Sequence, residues 1–448
     1  MSTICAISTP YGSGGIAVIR VSGTDAISLT DRLFRGRKPL SDATANTVHY
    51  GDIVRQGEVL DEVLVSVFRA PHSFTGEDVV EIACHGSLYV QQTLLQWLID
   101  EGCEMAKAGE FTQRAFLNGK MDLAEAEAVA DLIAAQTKAE KDLALSQLRG
   151  GVSQELSTLR DRLLEFTSLV ELELDFADHE ELEFADRSQL TDLAQEIDAK
   201  LTVLTDSFRA GNAIKQGIPV AIIGATNVGK STLLNALVGE ERAIVSDIQG
   251  TTRDTIEDSM VLSGILFRFI DTAGLRTTAD TIENLGIERS RQAAERAQII
   301  VQVIDATRPQ TDLEGIDLTD KTLLQVWNKS DLCDPAALSS TPHADRPPIV
   351  LSAKSGDVEV LKQALVAEAG KLFDTRSAVT ISNARHYEAL VRALEAIRRV
   401  ERGLQEQLSG EFLSMDLQDC LNALGEITGQ ITSQEVLNNI FAHFCIGK

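Results

Sequence analysis

The residues best suited to chemistry lie at 224–231, Gly-Ala-Thr-Asn-Val-Gly-Lys-Ser, after the apolar run Ile218–Ile223 and before Leu-Leu-Asn-Ala-Leu-Val, which suits a helix. This is GxxxxGK[ST] between a strand and a helix, where glycines let backbone N–H groups turn toward phosphate oxygens. Asn227, Val228 and Gly229 belong to the loop, Lys230 is placed for terminal phosphates, and the Ser231 hydroxyl can ligate Mg2+, with Thr232 following it. Asp271-Thr272-Ala273-Gly274 ends a strand-like Ile265–Ile270 and offers a carboxylate for the metal's water and a glycine N–H for the γ-phosphate. Asn328-Lys329-Ser330-Asp331 ends the apolar Leu323–Trp327, and Asp331 can accept from the N1 and 2-amino donors of guanine, which adenine lacks. Ser352-Ala353-Lys354 suits the loop that backs the base. The four motifs in this order point to a site for GTP and Mg2+, in which Lys230 also serves catalysis.

The elements that must carry these motifs are legible in outline. Residues 218–373 alternate β-branched, strand-like runs with loops and a helix-compatible segment, as an α/β domain does. Residues 1–118 hold apolar runs at Ile16–Ile19, Val63–Phe68 and Val79–Ala83 and an amphipathic run near Gln91–Ile99, so a small α+β domain is expected. Leu/Ala spacing of three and four from Met121 to Leu169, broken at Gly150-Gly151, and again from about His386, predicts two helical blocks. The blocks flank the α/β piece, and the simplest arrangement packs them into one helical domain with that piece inserted.

Composition limits the function classes. With 448 residues, 44% of them hydrophobic, several buried cores are possible. A formal net charge of -26 opposes a grip on polyanions by bulk electrostatics, so a nucleic-acid role needs a local basic patch or a partner. Cys5, Cys84, Cys103, Cys333, Cys420 and Cys445 are scattered without a CxxC pair, which suggests a reducing, cytoplasmic setting without zinc or disulfides. No run approaches the ~18 apolar residues of a membrane span.

Residues 218–373 resemble the Ras-like, translation-factor-type GTPases. In that light Gly250-Thr251-Thr252-Arg253-Asp254 looks like their first switch, with Thr252 as a second Mg2+ ligand and a catalytic residue. The residue after Asp-Thr-Ala-Gly is Leu275, which cannot orient an attacking water. Arg253 and Arg276 are candidate cationic fingers, and the Asn227 amide oxygen offers an alternative as ligand to a monovalent cation.

A wider resemblance covers essentially the whole chain. PYGSGGIAVIRVSG, SFTGEDVVEIACHG, GEFTQRAFLNGKMDLAEAEAVADLI, IENLGIERS and FCIGK are similar to segments of the MnmE (TrmE) family. The resemblance implies an N-terminal α+β folate-binding and dimerisation domain at 1–118, a discontinuous helical domain at 119–215 and 374–448, and an inserted G domain at 216–373. It implies K+ held by Asn227, Ser246, Ile248 and Thr251, and Glu283 orienting the water. It also implies a 5-formyl- or methylene-tetrahydrofolate site formed by Arg20, Glu81, Lys120 and Lys448. The function implied is addition of an aminomethyl or carboxymethylaminomethyl group at carbon 5 of a tRNA wobble uridine. The implied partners are a second copy and a flavin-dependent MnmG (GidA)-like protein that supplies most tRNA contacts, in a heterotetramer or larger assembly, with no membrane. A regulatory GTPase switch that binds a ribosomal or membrane partner is the alternative, and it would have no use for a folate pocket.

Overall fold

The computed structural model describes residues 1–175, 187–239, 258–270, 291–308, 316–333, 347–373 and 379–447. Two compact units emerge: Met1–Ala134 with Leu145–Leu190 and Arg402–Lys448, and Ala135–Ala144 with Thr191–Glu401.

The first unit is built on β1 (Ile4–Ile7), β2 (Ile16–Ser22), α1 (Ala26–Leu33), β3 (Phe34–Gly36), β4 (Thr47–Arg55), β5 (Glu58–Phe68), β6 (Val79–His85), α2 (Leu88–Asp100), β7 (Glu104–Met105) and α3 (Glu110–Leu117). The strands form one sheet in the order β3-β4-β5-β6-β2-β1-β7, antiparallel except for the β1–β7 pair. Side chains alternate across it, as a two-residue period requires. Ile19, Val21, Val65, Val67, Val80, Ile82 and Cys84 share a buried cluster with Leu94, Leu95 and Leu98 of α2. Arg20, opposite Glu81 in the register, lies on the other face of the pleat.

Helices α4 (Leu123–Ala134), α5 (Lys138–Leu148), α6 (Gly151–Asp175) and α7 (Arg187–Gln216) follow. The α5–α6 break falls at Gly150, whose φ of +81° suits glycine. After the nucleotide-binding segment the chain returns to helix as α10 (Ala384–Gln405), α11 (Gly410–Thr428) and α12 (Gln434–Phe441). Helices from the two sequence-distant blocks pack within each unit: α6 against α11 in the first, and α7 against α10 in the second. There Phe208 stacks on Tyr387 at 4.3 Å, and Arg398 Nε donates to Asp198 Oδ1 at 2.8 Å.

The second unit carries β8 (Ile218–Ile223), α8 (Lys230–Val238), β9 (Asp258–Leu262), β10 (Ile265–Phe269), β11 (Ile299–Asp305), β12 (Thr322–Asn328), β13 (Ile349–Val350) and α9 (Glu359–Phe373). The sheet order is β13-β12-β11-β8-β10-β9, parallel except for the β9–β10 pair. Strand β11 is buried along almost its whole length, which explains the unbroken apolar run Ile299–Ile304 save for Gln302. Leu233, Leu234 and Leu237 anchor α8 to this core. At about 1.5–3 kcal/mol for each fully buried apolar side chain, they hold the loop before α8 firmly. Ligands of such sheets bind beyond the carboxyl ends of the parallel strands, where β8, β11 and β12 deliver their loops.

Candidate functional site

The turn from β8 into α8 is built from residues only glycine or a tolerant polar side chain can supply. Gly224 has φ +147°, and a Cβ there would sit 2.2 Å from the Val303 carbonyl oxygen. Gly229, at φ +98°, caps α8, and its Cβ would lie 2.3 Å from Asn328 Nδ2. Asn227 between them is left-handed at φ +60°, a conformation asparagine tolerates better than most residues. The chain therefore wraps closely around the α8 N-terminus, which suits phosphate binding.

Side chains from β11, β12 and the loop after β13 hold this turn. Asn328 Nδ2 donates to the Val228 carbonyl at 2.8 Å, and Asn328 Oδ1 accepts from Ala353 N–H at 2.9 Å. Lys329, itself left-handed at φ +65°, donates from Nζ to the Asn227 carbonyl at 2.8 Å and to Asp305 Oδ2 at 2.6 Å. The Ser352 hydroxyl donates to Asp331 Oδ1 at 2.6 Å, orienting an exposed carboxylate. Lys230 Nζ donates to the carbonyls of Gly224 and Ala225 at 2.7 and 2.8 Å, and burial holds its ammonium below the usual lysine pKa. Burial would raise the pKa of Asp305. The hydrogen bonds from Lys329 and from the side chain and backbone of Thr307 outweigh it and leave that carboxyl below its ordinary value.

Asn227, Val228, Gly229, Lys230, Asn328, Lys329, Asp331, Ser352 and Ala353 are thus joined in one network. Ser231 is half-buried, and Thr232 and Lys354 are exposed beside them. Ser246, Ile248, Thr251, Thr252, Asp271, Thr272, Ala273, Gly274, Glu283 and Lys448 lie outside the described residues. Sequence reasoning missed Asp305. Its signal was a single carboxylate ending the apolar strand β11, one strand away from the phosphate loop.

A second polar site lies on the outer face of the first sheet. Arg20 donates from Nε and Nη2 to Glu81 Oε1 at 2.9 and 2.7 Å, and from Nη1 to the Gly447 carbonyl at 3.4 Å. Its guanidinium carbon stands 5.4 and 5.6 Å from the ring centroids of Phe74 and Phe111. The carboxyl-terminal strap reaches this place because Ser8 Oγ donates to the Gly447 carbonyl at 3.0 Å and Ile446 bridges to Ala108. Gly447 has φ +92°, and a Cβ there would lie 2.4 Å from the Ile7 carbonyl oxygen. Of the four expected folate residues, Arg20 and Glu81 meet each other, and residue 447 sits beside Arg20. Lys120 donates instead to the Pro71 carbonyl at 2.9 Å. Cys84, in the buried cluster on the opposite face of the sheet, is a poor nucleophile, because burial pushes its thiol up to about 11.

A strand, phosphate loop and helix, with guanine-type recognition motifs at the ends of neighbouring strands, define a P-loop nucleotide-binding domain. Comparison with known proteins narrows the class. The family model described as the MnmE helical domain matches residues 123–445, and that of the GTP-binding protein TrmE N-terminus matches residues 3–120. The protein named tRNA modification GTPase MnmE in Parabacteroides distasonis is 56% identical over 461 residues, spanning 100% of both chains. Its namesake in Bacteroides thetaiotaomicron is 51% identical, over 100% of this chain and 99% of its own. The solved G domain of the T. maritima FeoB iron transporter covers 34% of this chain and 98% of its own at 26% identity, with a TM-score of 0.25. The chain belongs to the MnmE (TrmE) family. No helix among the described residues is long and apolar enough to cross a membrane.

Proposed function

We propose that the chain is a GTP hydrolase that takes part in modifying tRNA at carbon 5 of the wobble uridine. The observation that carries the GTP part of this reading is the direct attachment of the phosphate loop to the base-recognition motifs through Asn328 and Lys329, and kinship with the tRNA modification GTPases supports the rest. Base recognition falls to Asp331, with Ser352 fixing its carboxylate for the two donors of guanine. Lys230, freed from its loop carbonyls, faces the terminal phosphates, and the backbone N–H groups after Asn227 turn toward them. Ser231 and Thr252 would hold Mg2+, and Asn227 with Ser246, Ile248 and Thr251 would hold K+. When bound, these cations would supply positive charge for the β–γ bridge, K+ in the place an arginine takes elsewhere. Glu283 is the proposed orienting group for water.

In the same reading the face around Arg20, Glu81 and the strap takes a tetrahydrofolate one-carbon donor, with Lys120 and Lys448 completing it. Arg20, between two aromatic rings and a carboxylate, supports a flat, donor-rich heterocycle there. A homodimer is supported by Val48, Tyr50 and Leu64, exposed together on the β4–β5 part of that face. The acidic balance supports a flavin-dependent MnmG (GidA)-like partner that supplies most tRNA contacts.

The test measures two quantities. GTP hydrolysis is compared in KCl and NaCl at equal ionic strength, and equal rates would refute the K+ assignment. Wobble nucleosides are mass-analysed from cells lacking the chain. Restoration by the intact gene but not by an Asp271→Ala copy is expected, whereas unchanged nucleosides would favour a regulatory switch.

A further inference from the structure

A cavity of about 410 Å³ opens in the first unit where the start of α4, the α5–α6 junction and the end of α11 meet. Helix α6 buries Val152, Leu156, Leu159 and Leu163, an ordinary packing stripe. Beside it Ser153, Ser157 and Arg160, three and four residues apart, form a second, polar line along the cavity. Packing alone gives no reason for it.

Three polar atoms there lack partners. Ser153 Oγ, Arg160 Nε and Thr428 Oγ1 are buried without a hydrogen bond, and Thr428 is only 9% exposed. Two carboxylates line the same cavity, each engaged through one of its oxygens at the start of α4. Asp122 Oδ1 accepts from Glu125 N–H and Glu125 Oε2 from Asp122 N–H, each at 2.8 Å, the reciprocal arrangement of a capping box. Among the described residues neither Arg160 nor Arg149, the other guanidinium of the wall, forms an ion pair with them. The uncommitted groups are therefore chiefly donors: the half-buried Arg160 and the exposed Arg149 guanidiniums and the hydroxyls of Ser153 and Thr428, against one remaining oxygen on each carboxylate. Buried donors of this kind are satisfied by an acceptor with several lone pairs.

We propose that this cavity is a binding site for an oxyanion, the carboxylate or phosphate of a small ligand, held by Arg160 and Arg149 with the hydroxyls of Ser153 and Thr428. The proposal is independent of the nucleotide and folate readings, since none of its residues belongs to either. Because the wall joins Asp122, Glu125 and the 149–160 segment to residues 424–430, an occupant would tie the two helical blocks together and raise the unfolding temperature.

The test uses the full chain loaded with GDP and Mg2+, so that the phosphate loop is already filled. Inorganic phosphate and malonate are titrated separately against chloride at equal ionic strength, by calorimetry and by thermal unfolding. Saturable binding of at least one is expected, and the stronger of the two names the ligand class. Arg160→Gln should weaken it about tenfold or more, because a charge-assisted hydrogen bond is lost. Thr428→Val, of nearly unchanged shape, should weaken it several-fold and decides the matter if Arg160→Gln fails to fold. The proposal is overturned if neither anion saturates, which would leave the cavity to water. It is equally overturned if binding is untouched by the variant that folds.

Discussion

Replacing Asp305 with asparagine keeps the shape of the β11 end and removes the charge that holds Lys329. The Lys329–Asp305 contact is 2.6 Å, with side chains 32% and 19% exposed. A hydrogen bond to a charged group contributes about 1.5–3 kcal/mol when buried, and this degree of exposure brings the figure down to ~1–2 kcal/mol. Lys329 has a left-handed backbone and also binds the Asn227 carbonyl, so the loss passes directly to the phosphate loop. Converted at 1.4 kcal/mol per factor of ten, GDP should bind ~5–30-fold more weakly, mostly through faster dissociation. Stopped-flow release of a fluorescent GDP analogue in Mg2+ buffer measures this, with thermal unfolding as the control for folding. Asp305→Glu should recover part of the loss. A folded Asp305→Asn protein with a dissociation rate changed less than twofold would refute the view that Asp305 acts through Lys329 on nucleotide affinity.

The same carboxyl predicts a pH effect. Its folded pKa lies below the ordinary 3.8, so its stabilisation is present above that value and is lost as pH falls through the lower folded one. Denaturant titrations should show wild type and Asp305→Asn differing at neutral pH and converging only below 3.8. Asp331→Asn should cost GTP affinity about 100-fold or more by removing an acceptor for two guanine donors, as equilibrium binding of GTP, ATP and XTP would report. Gly447→Ala should unseat the strap from Ile7 and abolish binding of a tetrahydrofolate while leaving GTP binding unchanged, measured by calorimetry on one preparation. Arg114 is 3% exposed and pairs with Glu77 and Glu110. Arg114→Ala should destabilise the first unit by about 3–5 kcal/mol, because two carboxylates are left without their cation, and urea denaturation followed by circular dichroism tests this.

The parts of the fold legible in advance were those encoded locally. Ile218–Ile223 matches β8 at both ends, since a β-branched run followed by Gly224 admits little else. The break at Gly150-Gly151 was visible because glycine there interrupts an otherwise regular helical period. Contacts across long separations were not legible from pattern. The Lys329–Asp305 pair depends on β11 and β12 lying side by side in register. The strap's contact with Arg20 spans 427 residues, and only family resemblance hinted at it. The polar line of α6 reads in sequence as ordinary helix surface, because serine and arginine at such spacing carry no sign of which neighbour covers them.

The strap has a consequence for biosynthesis. Ser8 and Gly447, which share a hydrogen bond, are separated by 439 positions. At about 5–20 residues per second, the ribosome makes the second some tens of seconds after the first. The sheet can form long before its final ribbon emerges, so an aborted or proteolytically clipped chain would keep its nucleotide-binding machinery and lack a finished Arg20 face. Only translation through residue 447 can produce a molecule in which both are present.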